Sequence, residues 1–213
     1  MGCWSAENAT RAYLQAIKMG KTHEVPDVSE FISALAAGNS SQLMVIASGT
    51  VPAESTLISL VAAAHQTGGR VACVLPSLPD NYVTKQTLGP YTECVKFHKG
   101  DVKTPLLREY KGEVDFVLID CEMEDSTGIF RVAEACSKHG KGIVVGYNAL
   151  HKRSWSSEFE THLLPIADGL LVTRLGRFPN GGERKRNKWV TTFDKYTGEE
   201  HVYRLTATDR RGD

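Results

Sequence analysis

The chain has 213 residues, 41% of them hydrophobic and 23% charged, enough to bury one sizeable core without requiring a linker between domains. Lysine plus arginine equal aspartate plus glutamate at 25 each, so overall charge draws the chain to neither nucleic acid nor membrane, and a charged partner must be met by a local patch. Five cysteines, Cys3, Cys73, Cys94, Cys121 and Cys136, form no C-x-x-C pair and are odd in number, which suits free thiols in a reducing compartment and argues against a disulfide framework. There is no signal-type apolar stretch at the N-terminus, and no apolar run approaches the roughly 20 residues of a membrane span. The expectation is an intracellular protein, of the cytoplasm or the nucleus, with no membrane partner.

Two helices come first. Ser5 is a plausible N-cap, Tyr13, Ala16 and Ile17 give a helical stripe, and Gly20 ends it. Pro26 and Asp27 start a second helix in which Val28, Phe31, Ile32 and Leu35 fall at i, i+3, i+4 and i+7, and Gly38 stops it. The pattern then changes to alternating strands and helices. Leu43 to Ile46 reads as a buried strand, Pro52 to Gln66 as a helix with Leu57, Leu60, Val61 and Ala64 inward, and Val71 to Leu75 as a second strand after the Gly68-Gly69 turn. Asp80 to Leu88 reads as a helix, Cys94 to His98 as a strand and Pro105 to Tyr110 as a short helix.

Val114 to Ile119 is an apolar run too short for a helix, and Asp120 ends it abruptly. After a helical segment, Gly142 to Tyr147 forms a further strand that ends at the same rim with Asn148. In open α/β sheets ligands bind at this carboxyl edge, so Asp120 is a candidate site residue on position alone. Phe159 to Ile166 and Gly169 to Leu175 read as two strands joined by the tight turn Ala167-Asp168, too short for a parallel crossover. The expected fold is therefore α/β: a Rossmann-like, mostly parallel seven-stranded sheet with an antiparallel closing hairpin, preceded by two N-terminal helices. A C-terminal β-hairpin, Lys188 to Asp194 and His201 to Leu205, is appended around Tyr196-Thr197-Gly198. The organisation expected is one domain over 1–213, with helices in 1–40, the core in 41–176 and a basic loop plus hairpin in 177–213.

This order is similar to the class I fold that binds S-adenosylmethionine. Val25 to Ser55, VPDVSEFISALAAGNSSQLMVIASGTVPAES, looks like the helix, first strand and first cofactor loop of the small cation-dependent O-methyltransferases acting on catechols and caffeoyl thioesters. Asp115 to Asp120, DFVLID, resembles their fourth strand, and Glu160 to Arg174, ETHLLPIADGLLVTR, their closing hairpin. The likeness covers roughly residues 25 to 175 and supports the fold more than the activity. Trp4 to Glu7 and Trp189 to Tyr203, including Gly198-Glu199-Glu200-His201-Val202, look more narrowly like a plant family of methyltransferase-like proteins of unassigned role.

The resemblance implies an S-adenosylmethionine pocket formed by Gly49, Thr50, Ser55, Gly100, Asp101 and Asp120, with Gly100-Asp101-Val102 as the adenine-facing turn. Gly49 and Gly100 on their own also read as plain turn glycines. Ala47 stands where the family carries an acid, Ala53 where it carries a second glycine, and Leu75-Pro76 where an acid accepts the ribose hydroxyls. At roughly 1.5 to 3 kcal/mol for each lost charged acceptor, two losses weaken cofactor binding by about 100-fold or more. The family's three oxygen ligands for a divalent cation reduce here to Asp120 and Asn148, because Tyr147 replaces the second acid, and Met123 stands in for a lysine. No divalent cation is expected. Glu122 and Glu124 read as N-terminal helix charges. His151 lies near the rim, as a general base for a substrate hydroxyl or as a solvent-facing histidine beside Lys152 and Arg153.

Three functions fit these residues. The first is an S-adenosylmethionine-dependent methyltransferase, O-methyltransferase-like, with a small polar substrate or a partner's side chain over Asp120, Asn148 and His151. The second is a non-catalytic module, with the basic segment Pro179 to Lys188 and the aromatics Trp189, Phe193 and Tyr203 contacting nucleic acid through residues 179–205 or packing on the sheet. The third is a protein that binds another adenine ligand through Gly49 and Asp101. The resemblance also implies a homodimer built on the helices before the first strand.

Overall fold

The computed structural model describes residues 4–20, 28–50, 52–77, 88–138, 142–150, 155, 161–176, 188–193 and 200–205. The helix expected over Asp80 to Leu88 lies almost wholly outside them, as do Pro26, Asp27, His151, Phe159, Glu160 and the Tyr196-Thr197-Gly198 turn. The chain divides into two compact units, Met1–Gly176 and Arg177–Asp213.

In the first unit, β1 (Leu43–Ala47), β2 (Arg70–Leu75), β3 (Val95–Lys99), β4 (Phe116–Asp120) and β5 (Gly142–Tyr147) are parallel, while β6 (Thr161–Leu164) and β7 (Leu170–Leu175) form the antiparallel closing hairpin. The strand order is β3-β2-β1-β4-β5-β7-β6. This is the Rossmann-like sheet that the sequence predicts. In the second unit, β8 (Lys188–Phe193) and β9 (Glu200–Leu205) make an antiparallel hairpin.

Helices α1 (Ala6–Met19), α2 (Val28–Gly38) and α3 (Glu54–Thr67) precede or follow β1, and α4 (Lys103–Arg108) and α5 (Ser126–Cys136) flank β4. β1 and β4 are buried at every position, because both faces of the sheet are covered. Alternation sorts the side chains. Met44, Ile46, Cys73, Phe116 and Leu118 pack with α2 and α3, whereas Val45, Ala47, Val74, Val117 and Ile119 pack with α4 and α5 through Leu106, Ile129 and Phe130.

The packing corrects two helical stripes. Along α1 the buried positions are Ala9, Ala12 and Ala16, while Ile17 is 43% exposed and Tyr13 half-buried. Alanines let α1 approach α2 and α3 closely, which leaves its larger side chains outside. In α2, Ile32, Ser33, Ala36 and Ala37 are buried and Val28, Phe31 and Leu35 only partly so. α3 is buried without a break from Leu57 to Ala64, since it lies between the sheet and the first two helices. The caps agree with the sequence: Ser5 accepts from the Asn8 amide at 3.2 Å, and Gly68 ends α3 at φ 70°.

Val114 stands apart from β4, in an isolated parallel bridge to Ser137. The intervening Asp115 turns its carboxylate to the start of β1, where Oδ2 accepts from the amides of Gln42 at 2.8 Å and Leu43 at 3.2 Å. Asp115→Ala leaves both amides to solvent. It is expected to lower stability by about 1.5 kcal/mol, the low end for bonds to a charged group because the site is only partly buried, seen as a lower urea midpoint at unchanged slope.

Candidate functional site

Parallel strands end side by side, and the order reversal between β1 and β4 opens a crevice at their carboxyl edge. A cavity of about 300 Å³ lies there, reached by residues from the ends of β1, β4 and β5, the starts of α2 and α3, and the β6–β7 turn. Asp120, Asn148, Thr50 and Ser55 all line it.

Asp120 is its centre. Only 6% exposed, the carboxylate accepts from Asn148 Nδ2 at 3.1 Å and the Glu122 amide at 3.1 Å through Oδ1, and from Ser48 Oγ at 3.3 Å through Oδ2. Ser48 in turn accepts from the Tyr147 hydroxyl at 3.0 Å. Burial, with the Asp120 charge added to it and the Ser48 bond opposing, pushes the Tyr147 phenol well above its ordinary value, so it stays a neutral donor. Asn148 has a left-handed backbone, φ 55°, which asparagine tolerates better than most residues. Its segment is stitched to the β6–β7 turn by Ala149 N–H to Gly169 O at 3.1 Å and Leu150 N–H to Asp168 O at 2.9 Å. Gly169 cannot carry a side chain there: its φ is +87°, and a Cβ would come within 2.7 Å of the Leu150 nitrogen.

Gly49 is next to the cavity, and a Cβ placed on it would lie 3.4 Å from Met123 Cγ. Met123 thus packs over the glycine and against the core between the sheet and α5. Gly100 and Asp101 are not brought into this cavity. They follow β3, two strands from β1, where the Gly100 amide donates to Leu75 O at 2.8 Å, and Asp101 accepts from Thr104 Oγ1 at 3.3 Å. His151 lies outside the described residues. Sequence reasoning missed Ser48, Glu122 and Asp168 as lining residues. Ser48 was legible as a hydroxyl directly after an apolar strand, whereas Asp168 reaches the cavity only because the closing hairpin folds back beside β5.

The residues fit S-adenosylmethionine at one end. Thr50 and Ser55 offer hydroxyls, and Ala53 has no side chain to cap α3, so the first-turn amides remain available near the cavity. At the ribose end Leu75 is fully buried in the core, and Pro76 and Ser77 follow it without a carboxylate. Among the described residues no group of three His, Cys, Asp or Glu side chains is arranged to hold a metal ion. No helix among them is long and apolar enough to cross a membrane.

The fold is that of class I S-adenosylmethionine-dependent methyltransferases. A methyltransferase from Geobacter sulfurreducens superposes with TM-score 0.54 at 16% identity, covering 80% of this chain and 90% of that one. The O-methyltransferase TomG of Streptomyces achromogenes, solved with S-adenosylmethionine and involved in tomaymycin synthesis, gives 0.54 at 15% identity over 80% and 90%. A methyltransferase from Podospora anserina, bound to S-adenosylhomocysteine, gives 0.54 at 10% identity over 81% and 89%. Identities this low carry the fold alone. By sequence, residues 2–205 match the family described as protein of unknown function (DUF1442), and the chain belongs to it. No curated protein sequence matches the chain.

The Tyr147 phenol gives the site a pH signature. A neutral phenol in the fold against one titrating near 10 when unfolded contributes stability that is whole below pH 10 and is lost as the pH rises above it. Tyr147→Phe is expected to cost about 1 kcal/mol at neutral pH and to flatten the alkaline decline, measured by urea unfolding at about pH 9 and about pH 11. Cys73, whose thiol burial pushes up to about 12, and the raised Tyr110 and Cys136 contribute to the slope that remains.

Proposed function

We propose that this protein is a methyltransferase of divergent, cation-independent type that binds S-adenosylmethionine over β1 and β4 and presents a small polar substrate, or a partner's side chain, to Asp120 and Asn148. The observation that carries this reading is the cavity at the switch point, with Asp120 held between the ends of three parallel strands. Gly49, Thr50 and Ser55 belong to the methionine end in this reading, and Gly100 and Asp101 to the adenine end. When bound, the sulfonium supplies the methyl group. The chain's own part is to orient the acceptor and to exclude water through α2 and the β6–β7 turn. His151 remains a candidate base, and the narrower plant resemblance belongs to the same reading.

A second reading, a methyltransferase fold retained for binding alone, is favoured by Leu75 at the ribose position and by Tyr147 in place of the second acid. Nucleic acid contacts through residues 179–205 belong to this alternative.

Calorimetric titration with S-adenosylhomocysteine separates the two. A dissociation constant weakened about 100-fold from low micromolar by the missing acceptors, hence in the range of hundreds of micromolar, and loss of binding in Gly49→Trp, are expected. No heat up to millimolar ligand would sink the methyltransferase reading.

A further inference from the structure

We infer that the cavity at the switch point takes a small primary amine, with its ammonium head over Asp120 and a short apolar body against α2. Asp120 is more than nine-tenths buried, and its hydrogen bonds come from neutral donors only: a serine hydroxyl, an asparagine amide and a backbone N–H. Among the described residues no Lys, Arg or His forms an ion pair with it. Buried carboxylates ordinarily have a cationic partner, because desolvating the charge is costly otherwise. The cavity lies on one side of Asp120. Oδ2 accepts from Ser48 Oγ at 3.3 Å, and the carboxylate retains acceptor capacity.

The rest of the cavity agrees in sign. Glu122 and Asp168 add two carboxylates to its lining, and no described lining residue is cationic. Val28, Ile32 and Leu170 give it an apolar wall. A second cavity, of about 400 Å³ at the opposite edge of the sheet, shows the contrast. Its Arg70 pairs with Glu113 at 2.7 Å and its Lys96 with Glu109 at 2.8 Å, so the charges there are matched within the protein.

An anion is disfavoured by the carboxylates of the first cavity, and a neutral alcohol leaves Asp120 without a counter-ion among the described residues. An ammonium group supplies that counter-ion and up to three donors for the carboxylate, the serine and the asparagine oxygen. As a methyl acceptor the amine rests on the function proposed above; as a ligand it rests on the cavity alone.

The full-length chain is titrated with phenethylamine, 2-phenylethanol and 3-phenylpropionate, which share one apolar body and differ in the charge of the head, each with and without S-adenosylhomocysteine. The amine is expected to bind at least about 10-fold more tightly than either isostere, the worth of one charge-assisted bond. Asp120→Asn is expected to abolish the preference. Asp168→Asn, on an exposed turn outside the core, is expected to reduce it about 3-fold, and carries the test if circular dichroism shows Asp120→Asn unfolded. Equal binding of the three probes, or an amine preference unchanged in both variants, overturns the inference. An amine preference without S-adenosylhomocysteine binding supports it while removing the methyltransferase reading, and S-adenosylhomocysteine binding without an amine preference does the reverse.

Discussion

A single buried carboxylate holds the working edge of this protein together. Asp120 ends β4, and because β1 and β5 run parallel on either side, its oxygens reach Ser48 after one and Asn148 after the other. A third bond, to the Glu122 amide, fixes the turn that leads to α5. The positive φ of Asn148 and the backbone stitching of Ala149 and Leu150 to the β6–β7 turn follow from holding that amide over Asp120. The cavity exists because these strand ends are tied at their tips and not filled by side chains.

That edge could not be polar if the sheet beneath it were less completely covered. Strands β1 and β4 are buried along their whole length, so the first positions able to take polar groups are Ser48, Asp120 and Asn148, where the apolar runs stop. The buried length of α3 and the alanine face of α1 serve the same end. Close helix packing keeps water from the sheet and confines polarity to the rim.

Hydrogen bonds from neutral groups, not ion pairs, tie this rim together among the described residues. Tyr147 carries a neutral hydroxyl and passes its hydrogen bond to Ser48. Met123 covers Gly49, and Leu75 is drawn into the core. Asp120 stays buried and without a cationic partner among the described residues.

Much of the fold was legible in the sequence because local rules decided it. Short apolar runs defined β1, β2, β4 and β5, the short join around Ala167-Asp168 required the antiparallel close, and Ser5 and Gly20 marked the ends of α1. Periodicity misjudged which faces of α1 and α2 are innermost, since burial there depends on how closely two helices approach, which small residues set and hydrophobicity does not. At the site, the sequence by itself determined that Asp120 and Asn148 stand at strand ends on one rim. Only the tertiary structure decided that Ser48 links Tyr147 to Asp120, that Asp168 joins them from a hairpin some fifty residues away, and that Gly100 and Asp101 lie apart. A residue's place along a strand is a local property of the chain, whereas the groups facing it across a cavity are chosen by the order in which strands assemble.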